Sequence, residues 1–393
     1  MNSYGKQSTN LHDALVVGWQ VWRKSLTQGP KIQEFESAVA LKVGAKYAVA
    51  VSSATAGLHL ALLALELEPN SEVVTSPISF LSSANAAIYS GLKPKFIDID
   101  PDTINISETQ TVEAIKENDS IKALIPVHMA GAACNMAELS KVCRERGIAI
   151  IEDAAHALGG YYSNGQPVGN CEFSDMTVFS FHPVKSVTTG EGGIITTNNE
   201  DLYRKLLRLR SHGINQLNDP LLDQILGFTN GNKNLWYHEM QMLGYHYRLS
   251  EIQAALGVSQ IRKLEKFILK RKRLAENYDV YFRNFPGIRP VQYQMRDSSA
   301  HHLYILLIDF SKLSISRHEL MVKLRDAGVG TQVHYRPIPT QPYYQDLGYS
   351  TASIPNAMDY YSKCLSIPMH PKLNKKQQRK ILAIFTEILR EEK

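Results

Sequence analysis

The chain has 393 residues, 44% hydrophobic and 21% charged, with a formal net charge of only +5, which is the composition of a folded globular chain and excludes a disordered tail or a strongly basic nucleic-acid binder. Its four cysteines, Cys134, Cys143, Cys171 and Cys364, form no CxxC pair and have no metal-ligand spacing, so reduced thiols in a cytoplasmic protein are expected and a metal is not. Residues 1–10 are polar with no apolar signal core, and the apolar stretch 48–67 is broken by Ser52, Ser53, Thr55 and His59, so neither a secretory leader nor a membrane span is expected.

In chain order, residues 47–51 read as a buried strand, and Leu58, Leu62 and Leu65 mark one face of a helix. The small residues between them, Ser52-Ser53-Ala54-Thr55-Ala56, make a tight turn at a helix N-terminus. Such a turn either caps the helix or lets backbone amides approach an anion such as phosphate. A βαβ passage follows, with a strand at 72–75, the loop Ser76-Pro77-Ile78-Ser79-Phe80, a helix through Ala84, Ala87 and Ile88, and a strand at 94–97. A second has a strand at 123–127, a loop at 128–135, a helix at 136–146 and a strand at 148–151. Near-continuous apolar strands alternating with helices predict a parallel sheet covered on both faces, with ligands bound beyond the carboxyl ends of its strands. Phe80, His128, Asp153 and Lys185 all fall at those ends.

Asp153, in Glu152-Asp153-Ala154-Ala155-His156, fits a metal, a helix cap or a protonated ring nitrogen, and the lack of metal spacing discounts the first. Lys185 follows a strand at 176–181, in the glycine-rich loop closed by Gly190-Glu191-Gly192-Gly193, and is expected to be presented rather than packed. A lysine near apolar and cationic neighbours loses proton affinity and becomes able to condense with an aldehyde. With an aspartate to hold a pyridine proton, an aromatic ring to stack and an anion cradle, these are the parts of a pyridoxal phosphate site.

These motifs, with Gly244-Tyr245-His246-Tyr247-Arg248-Leu249-Ser250-Glu251 further on, resemble the sugar aminotransferases of the DegT/DnrJ/EryC1/StrS family over nearly the whole chain. The resemblance implies a type I pyridoxal phosphate-dependent aminotransferase fold, α/β, with a large mostly parallel sheet domain over residues 1–250 and a linking helix plus smaller α/β domain over 251–393. It implies a homodimer with shared active sites. By motif, Lys185 would bond the cofactor aldehyde, Asp153 would face its ring nitrogen, Phe80 would stack on the ring and His156 would lie beside it. Thr55, Ala56 and Ser180 would hold the phosphate. The pattern departs at His246, where relatives commonly have an Asn that reaches the phosphate of the neighbouring subunit's cofactor. Leu26-Thr27-Gln28-Gly29-Pro30-Lys31, Pro77-Ile78-Ser79-Phe80 and Pro126-Val127-His128-Met129-Ala130-Gly131 most resemble the members of pseudaminic acid synthesis. Those members aminate C4 of a UDP-linked 4-keto-6-deoxy-N-acetylhexosamine with L-glutamate as donor; the same chemistry on a UDP-4-ketopentose or a GDP- or dTDP-linked 4-ketohexose stays open.

In the second half, residues 250–281 read as one long helix, with the basic run Arg262 to Arg273 as its wet face. A compact lobe follows, with a strand at 302–308, a helix at 317–327 and a strand at 330–335. Residues 230–237, with Trp236, form a loop that either closes over a sugar nucleotide or lies on the surface. His334 and Arg336 resemble the family's substrate-side strand, with Arg336 placed for nucleotide phosphates.

Overall fold

The computed structural model describes residues 4–23, 26–216, 219–283 and 285–391. Residues 1–3 of the polar N-terminus and the last two residues of the expected small domain lie outside them. The first half contains α1 (Leu11–Trp22), α2 (Pro30–Val43), β1 (Tyr47–Val51), α3 (Ala54–Ala64), β2 (Glu72–Thr75), α4 (Ser82–Tyr89), β3 (Lys93–Phe96), α5 (Glu108–Glu117), β4 (Ile121–Ile125), α6 (Met136–Glu145), β5 (Ala149–Asp153), β6 (Met176–Ser180), β7 (Gly193–Thr197) and α7 (Glu200–Leu209).

Seven of these strands make one sheet in the order β1-β7-β6-β5-β4-β2-β3. It is parallel from β6 to β3, whereas β7 runs antiparallel to both β1 and β6. Val and Ile dominate the strands because both faces are covered. One face packs Phe35, Val39, Leu124, Ile150 and Phe179 in one core, and the other packs Leu58, Leu62, Ile125, Ile151 and Val178 in a second.

After the two-residue hairpin strands β8 (Phe228–Thr229) and β9 (Asn232–Lys233) come α8 (Glu251–Ile261) and α9 (Leu264–Phe282). The expected single helix is thus broken at Arg262 and Lys263, where Lys263 N–H bonds Gln260 O at 2.9 Å. The cause is tertiary. Buried Asp13 of α1 accepts from Ser259 Oγ at 2.6 Å, Gln260 Nε2 at 2.8 Å and Lys263 Nζ at 2.6 Å, gathering the end of α8 onto one carboxylate. The basic run also differs from expectation at Arg271, which faces inward, almost wholly buried, and donates to the carbonyls of His301, His302 and Met369.

The remaining elements are β10 (Ile288–Pro290), β11 (Tyr304–Ile308), α10 (Arg317–Asp326), α11 (Pro342–Asp346), α12 (Pro355–Lys363), β12 (Cys364–Ile367) and α13 (Lys375–Glu391). Strands β10, β11 and β12 form an antiparallel sheet whose core takes Leu274, Tyr278 and Phe282 from α9 and Phe385 from α13. Residues 330–335 are not a strand: only Gln332 pairs, with Ser366, and the backbone then turns toward the large sheet. Among the described residues no helix is long and apolar enough to cross a membrane.

Candidate active site

Strands β5 and β6 end side by side, at Asp153 and Ser180, and the loops beyond them open on a cavity of about 620 Å³, a volume suited to a small-molecule site. The residues that matter around it are Ser53, Thr55, Phe80, Asp153, His156 and Lys185.

The turn from β1 into α3 is capped by Ser53, whose hydroxyl accepts from Ala56 N–H at 3.1 Å. That bond uses the Ala56 amide, and the Ala56 side chain packs in the core. The amides of Ala54 and Thr55, in the first turn, have no acceptor within the helix and sit at its positive end. Strand β7 presses on this turn: a Cβ on Gly193 would lie 2.5 Å from the Ser53 carbonyl carbon, so only glycine fits there. The open donors of this turn are therefore the amides of Ala54 and Thr55, beside the Ser53 hydroxyl. Across it, Ser180 Oγ accepts from His182 N–H at 3.4 Å and lines the cavity.

Beyond β6 the loop is tied down rather than loose. Phe181 N–H bonds Gly192 O at 2.8 Å, Lys185 N–H bonds His182 O at 2.9 Å and Thr189 N–H bonds Phe181 O at 3.1 Å. Lys185 is half-buried in the cavity wall, which corrects the expectation of a side chain held clear of packing. Burial pushes its amine down to about 8, with the Asp153 carboxylate opposing the fall. An appreciable minority of Lys185 is therefore neutral and nucleophilic just above neutral pH.

Asp153 is the last residue of β5 and nearly buried. Its Oδ2 accepts from Ser83 Oγ at 2.6 Å and its Oδ1 from Ala155 N–H at 3.1 Å. His156 meets the Tyr335 hydroxyl at 3.2 Å through Nε2, and its ring lies 4.4 Å from that of His302. Its buried Nδ1 has no partner among the described residues. Burial first, then Lys185 and His334, hold His156 far below the usual imidazole range. His334 pairs Nδ1 with Ser366 Oγ at 2.8 Å and is pushed down to about 3 by burial and by Lys185. Both rings are thus neutral near pH 7.

Phe80 is 59% exposed, with its ring set edge-on to Tyr335 at 6.3 Å. Arg336 lines the mouth, its Nε donating to Thr340 Oγ1 at 2.8 Å. Two expected residues are not brought to this cavity. Trp236 is 76% exposed beyond the β8–β9 hairpin, and His246 is exposed beside His212, ring to ring at 5.3 Å. The residues missed in the sequence are Ser83, Tyr335, His302 and Tyr4. Tyr4 lines the cavity with its ring 5.3 Å from His334, while its carbonyl accepts from Met369 N–H at 3.0 Å. Ser83 had a usable signal, because it is a hydroxyl beside Ala84, Ala86 and Ala87 on the buried side of its helix, whereas Tyr4 belongs to no periodic element.

A family model, the DegT/DnrJ/EryC1/StrS aminotransferase family, matches residues 13–386. The chain belongs to that family. It is 36% identical over 390 residues to a UDP-4-amino-4,6-dideoxy-N-acetyl-beta-L-altrosamine transaminase of Campylobacter jejuni, covering 99% of this chain and 98% of the relative. The fold matches Helicobacter pylori PseC, an aminotransferase involved in the biosynthesis of pseudoaminic acid, with a TM-score of 0.89 at 32% identity and 99% coverage of each chain. It also matches the putative sugar aminotransferase Spr1654 from Streptococcus pneumoniae in its PMP-form, with a TM-score of 0.89, 27% identity and 99% coverage of each chain; the same protein is known in a PLP-form. The fold is that of the pyridoxal phosphate-dependent sugar aminotransferases, and the chain is an aminotransferase that uses this cofactor.

The residues present fit the cofactor. A desolvated lysine faces a carboxylate held by two donors, the amides of Ala54 and Thr55 are open at a helix N-terminus, and His156 Nδ1 is buried without a partner. This donor set has a place for an aldehyde, a ring nitrogen and a phosphate.

Proposed function

We propose that this aminotransferase moves the amino group of L-glutamate to C4 of a UDP-linked 4-keto-6-deoxy-N-acetylhexosamine, a step of pseudaminic acid synthesis. The observation that carries the chemistry is the placement of Lys185, its amine lowered to about 8, across one cavity from the carboxylate of Asp153. The choice of sugar is supported by the names of the Campylobacter jejuni and Helicobacter pylori proteins.

In this reading Lys185 bonds the cofactor aldehyde, the Ser53–Thr55 turn and Ser180 hold the phosphate, Phe80 and His156 flank the ring, and Asp153 keeps a proton on the ring nitrogen. Bound there, the cofactor supplies an electron sink for the charge left when a substrate carbon loses its proton. Lys185 Nζ takes and returns that proton, first for glutamate and then, in the reverse sense, at C4 of the sugar. Neutral His156 and His334 add no second cation beside Lys185 and so leave its amine able to act as a base. Arg336, and Trp236 from a neighbouring chain, bind the nucleotide side of the substrate.

The same reading takes the protein as a cytoplasmic homodimer in which His246 reaches the partner's cofactor phosphate. It is supported by the exposed apolar side chains of Leu11, Leu15, Trp19 and Trp22 on α1 and of Leu235 and Leu243 in the segment that leads to His246, more than an isolated chain ordinarily leaves in water. A domain boundary at the α8–α9 break, rather than at residue 250, fits the packing: α8 lies against α1 and α2, and α9 enters the small core.

The test is a panel of 4-keto nucleotide sugars with L-glutamate and the cofactor-loaded protein, read by 2-oxoglutarate release and by mass of the amino sugar. The highest kcat/KM is expected on the UDP-linked N-acetylhexosamine. A higher value on a GDP- or dTDP-linked sugar, or on a UDP-4-ketopentose, would overturn the substrate assignment while leaving the reaction type in place.

A further inference from the structure

Helix α4 is packed with alanines, Ala84, Ala86 and Ala87, all fully buried. Ser83 stands among them, also fully buried. A hydroxyl at such a depth is costly unless it is hydrogen-bonded, and alanine would fill the same place. The Ser83 hydroxyl is spoken for: its Oγ lies 2.6 Å from Asp153 Oδ2, and Ser79 Oγ lies 2.7 Å behind it. Ser79 itself lines the cavity. Among the described residues neither hydroxyl has another side-chain partner.

The directions of these bonds follow from proton counting. An ionised carboxylate only accepts, and a serine has one proton to give. Ser83 therefore donates to Asp153, and the Ser79–Ser83 contact is made by the Ser79 proton. The resulting chain, Ser79 to Ser83 to Asp153, is polarised toward the carboxylate. Together with Ala155 N–H on the other oxygen at 3.1 Å, it fixes the rotation of the carboxylate.

We propose that Ser83, oriented by Ser79, is a positioning residue for the reaction: it holds the Asp153 carboxylate aimed so that it keeps a proton on the cofactor's ring nitrogen. The inference rests on the reading of Asp153 given above.

A double-mutant comparison tests it, with Ser83→Ala and Ser83→Thr each made in the natural chain and in Asp153→Asn. In the natural chain Ser83→Ala is expected to lower kcat about tenfold, the loss of one charge-assisted hydrogen bond, with KM for the sugar unchanged. Ser83→Thr, which restores the hydroxyl, stays within about twofold. Ser79→Ala, which removes only the outer donor, gives a smaller loss of the same kind. In Asp153→Asn, Ser83→Ala has no further effect. A second readout does not depend on turnover: the dissociation constant of pyridoxal phosphate from the apo-protein, followed by quenching of tryptophan fluorescence, rises several-fold for Ser83→Ala in the natural chain and not in Asp153→Asn. Equal losses in both backgrounds would make Ser83 merely structural, and no loss in the natural chain would also overturn the proposal. If Asp153→Asn alone left turnover and cofactor affinity at the natural level, the reading of Asp153 would fail and the role of Ser83 with it, a result distinct from the other two.

Discussion

Glu152 and Asp153 are neighbours on β5, yet they face opposite sides of the sheet and do opposite things, because side chains alternate along a strand. Glu152 points into the protein, fully buried, and every approach to it is filled: His128 Nε2 at 2.6 Å, Tyr162 Oη at 2.8 Å, Ser174 Oγ at 2.5 Å and Thr177 Oγ1 at 3.1 Å. His128 is fixed in one tautomer, since its Nδ1 accepts from Cys134 N–H at 3.1 Å and so leaves the proton on Nε2. Burial alone would raise the Glu152 carboxyl, but the donors around it outweigh this and hold it below the usual range. Asp153 has two donors and an open side on the cavity. A saturated carboxylate binds its own fold together, and a carboxylate with an open side is free to hold something that arrives.

The comparison can be broken most sharply on the cavity side. Lys185→Ala is expected to abolish turnover while the protein keeps its melting temperature within a few degrees, because a half-buried side chain in a cavity wall contributes little packing. Turnover within tenfold of the natural chain would remove Lys185 from the chemistry.

Asp153→Asn comes next. A neutral amide no longer favours a protonated ring nitrogen, so kcat should drop by about two to four orders of magnitude while sugar binding is kept. Single-turnover rates measured with saturating cofactor check this, and near-normal rates would place the proton elsewhere.

Glu152→Gln should separate the two neighbours, since it is expected to cost about 3 kcal/mol of stability, as breaking a buried charged network does, with kcat per folded molecule close to natural. Urea unfolding reads the first and active-site titration the second. The sign of the pH effect follows from the depressed carboxyl. Its stabilising contribution is complete above the ordinary glutamate value of 4.5 and is lost as pH falls through the lower folded value. The stability gap between the natural chain and Glu152→Gln should therefore be constant at neutral pH and close in acid.

The Lys185 amine gives a milder dependence. Capture of pyridoxal phosphate by the apo-protein should speed up with pH and level off around a midpoint of about 8, because only the neutral amine attacks an aldehyde. A midpoint near 10.5, the ordinary lysine value, would mean that the site does not desolvate it.

The smallest expected effect is at Tyr4. Tyr4→Ala opens the cavity wall beside His334 and should raise KM for the sugar nucleotide by a few-fold with kcat almost unchanged, whereas Tyr4→Phe should keep most of the binding. Steady-state kinetics on the two variants distinguish the ring from its hydroxyl.

The elements that could be read early are those whose own residues fix them. The apolar runs of β1, β2, β4 and β6 and the capping turn at Ser53 need no distant partner to be recognised, and they already bring Asp153, Ser180 and Lys185 to one end of one sheet. Where a distant group decided the outcome, local pattern misled. The helix over 250–281 breaks because Asp13, far earlier in the chain, collects the end of α8. Arg271 turns inward because three carbonyls from the small sheet and its approach need a donor there. The stretch 330–335 has the alternation of a strand, but Ser366 takes both the backbone of Gln332 and the ring of His334.

By itself, then, the order of residues determined the alternating α/β architecture, the family, and the placing of Lys185 and of the Asp153 carboxylate at one end of the sheet, since each rests on short-range spacing and on residue chemistry. Only the tertiary structure decided which of two adjacent acids faces the cavity with room to spare, how far burial lowers Lys185, that Ser83 meets Asp153 and that Tyr4 lines the cavity. These depend on which groups meet across the sheet and on how much water they lose, and neither quantity is carried by neighbours in the chain.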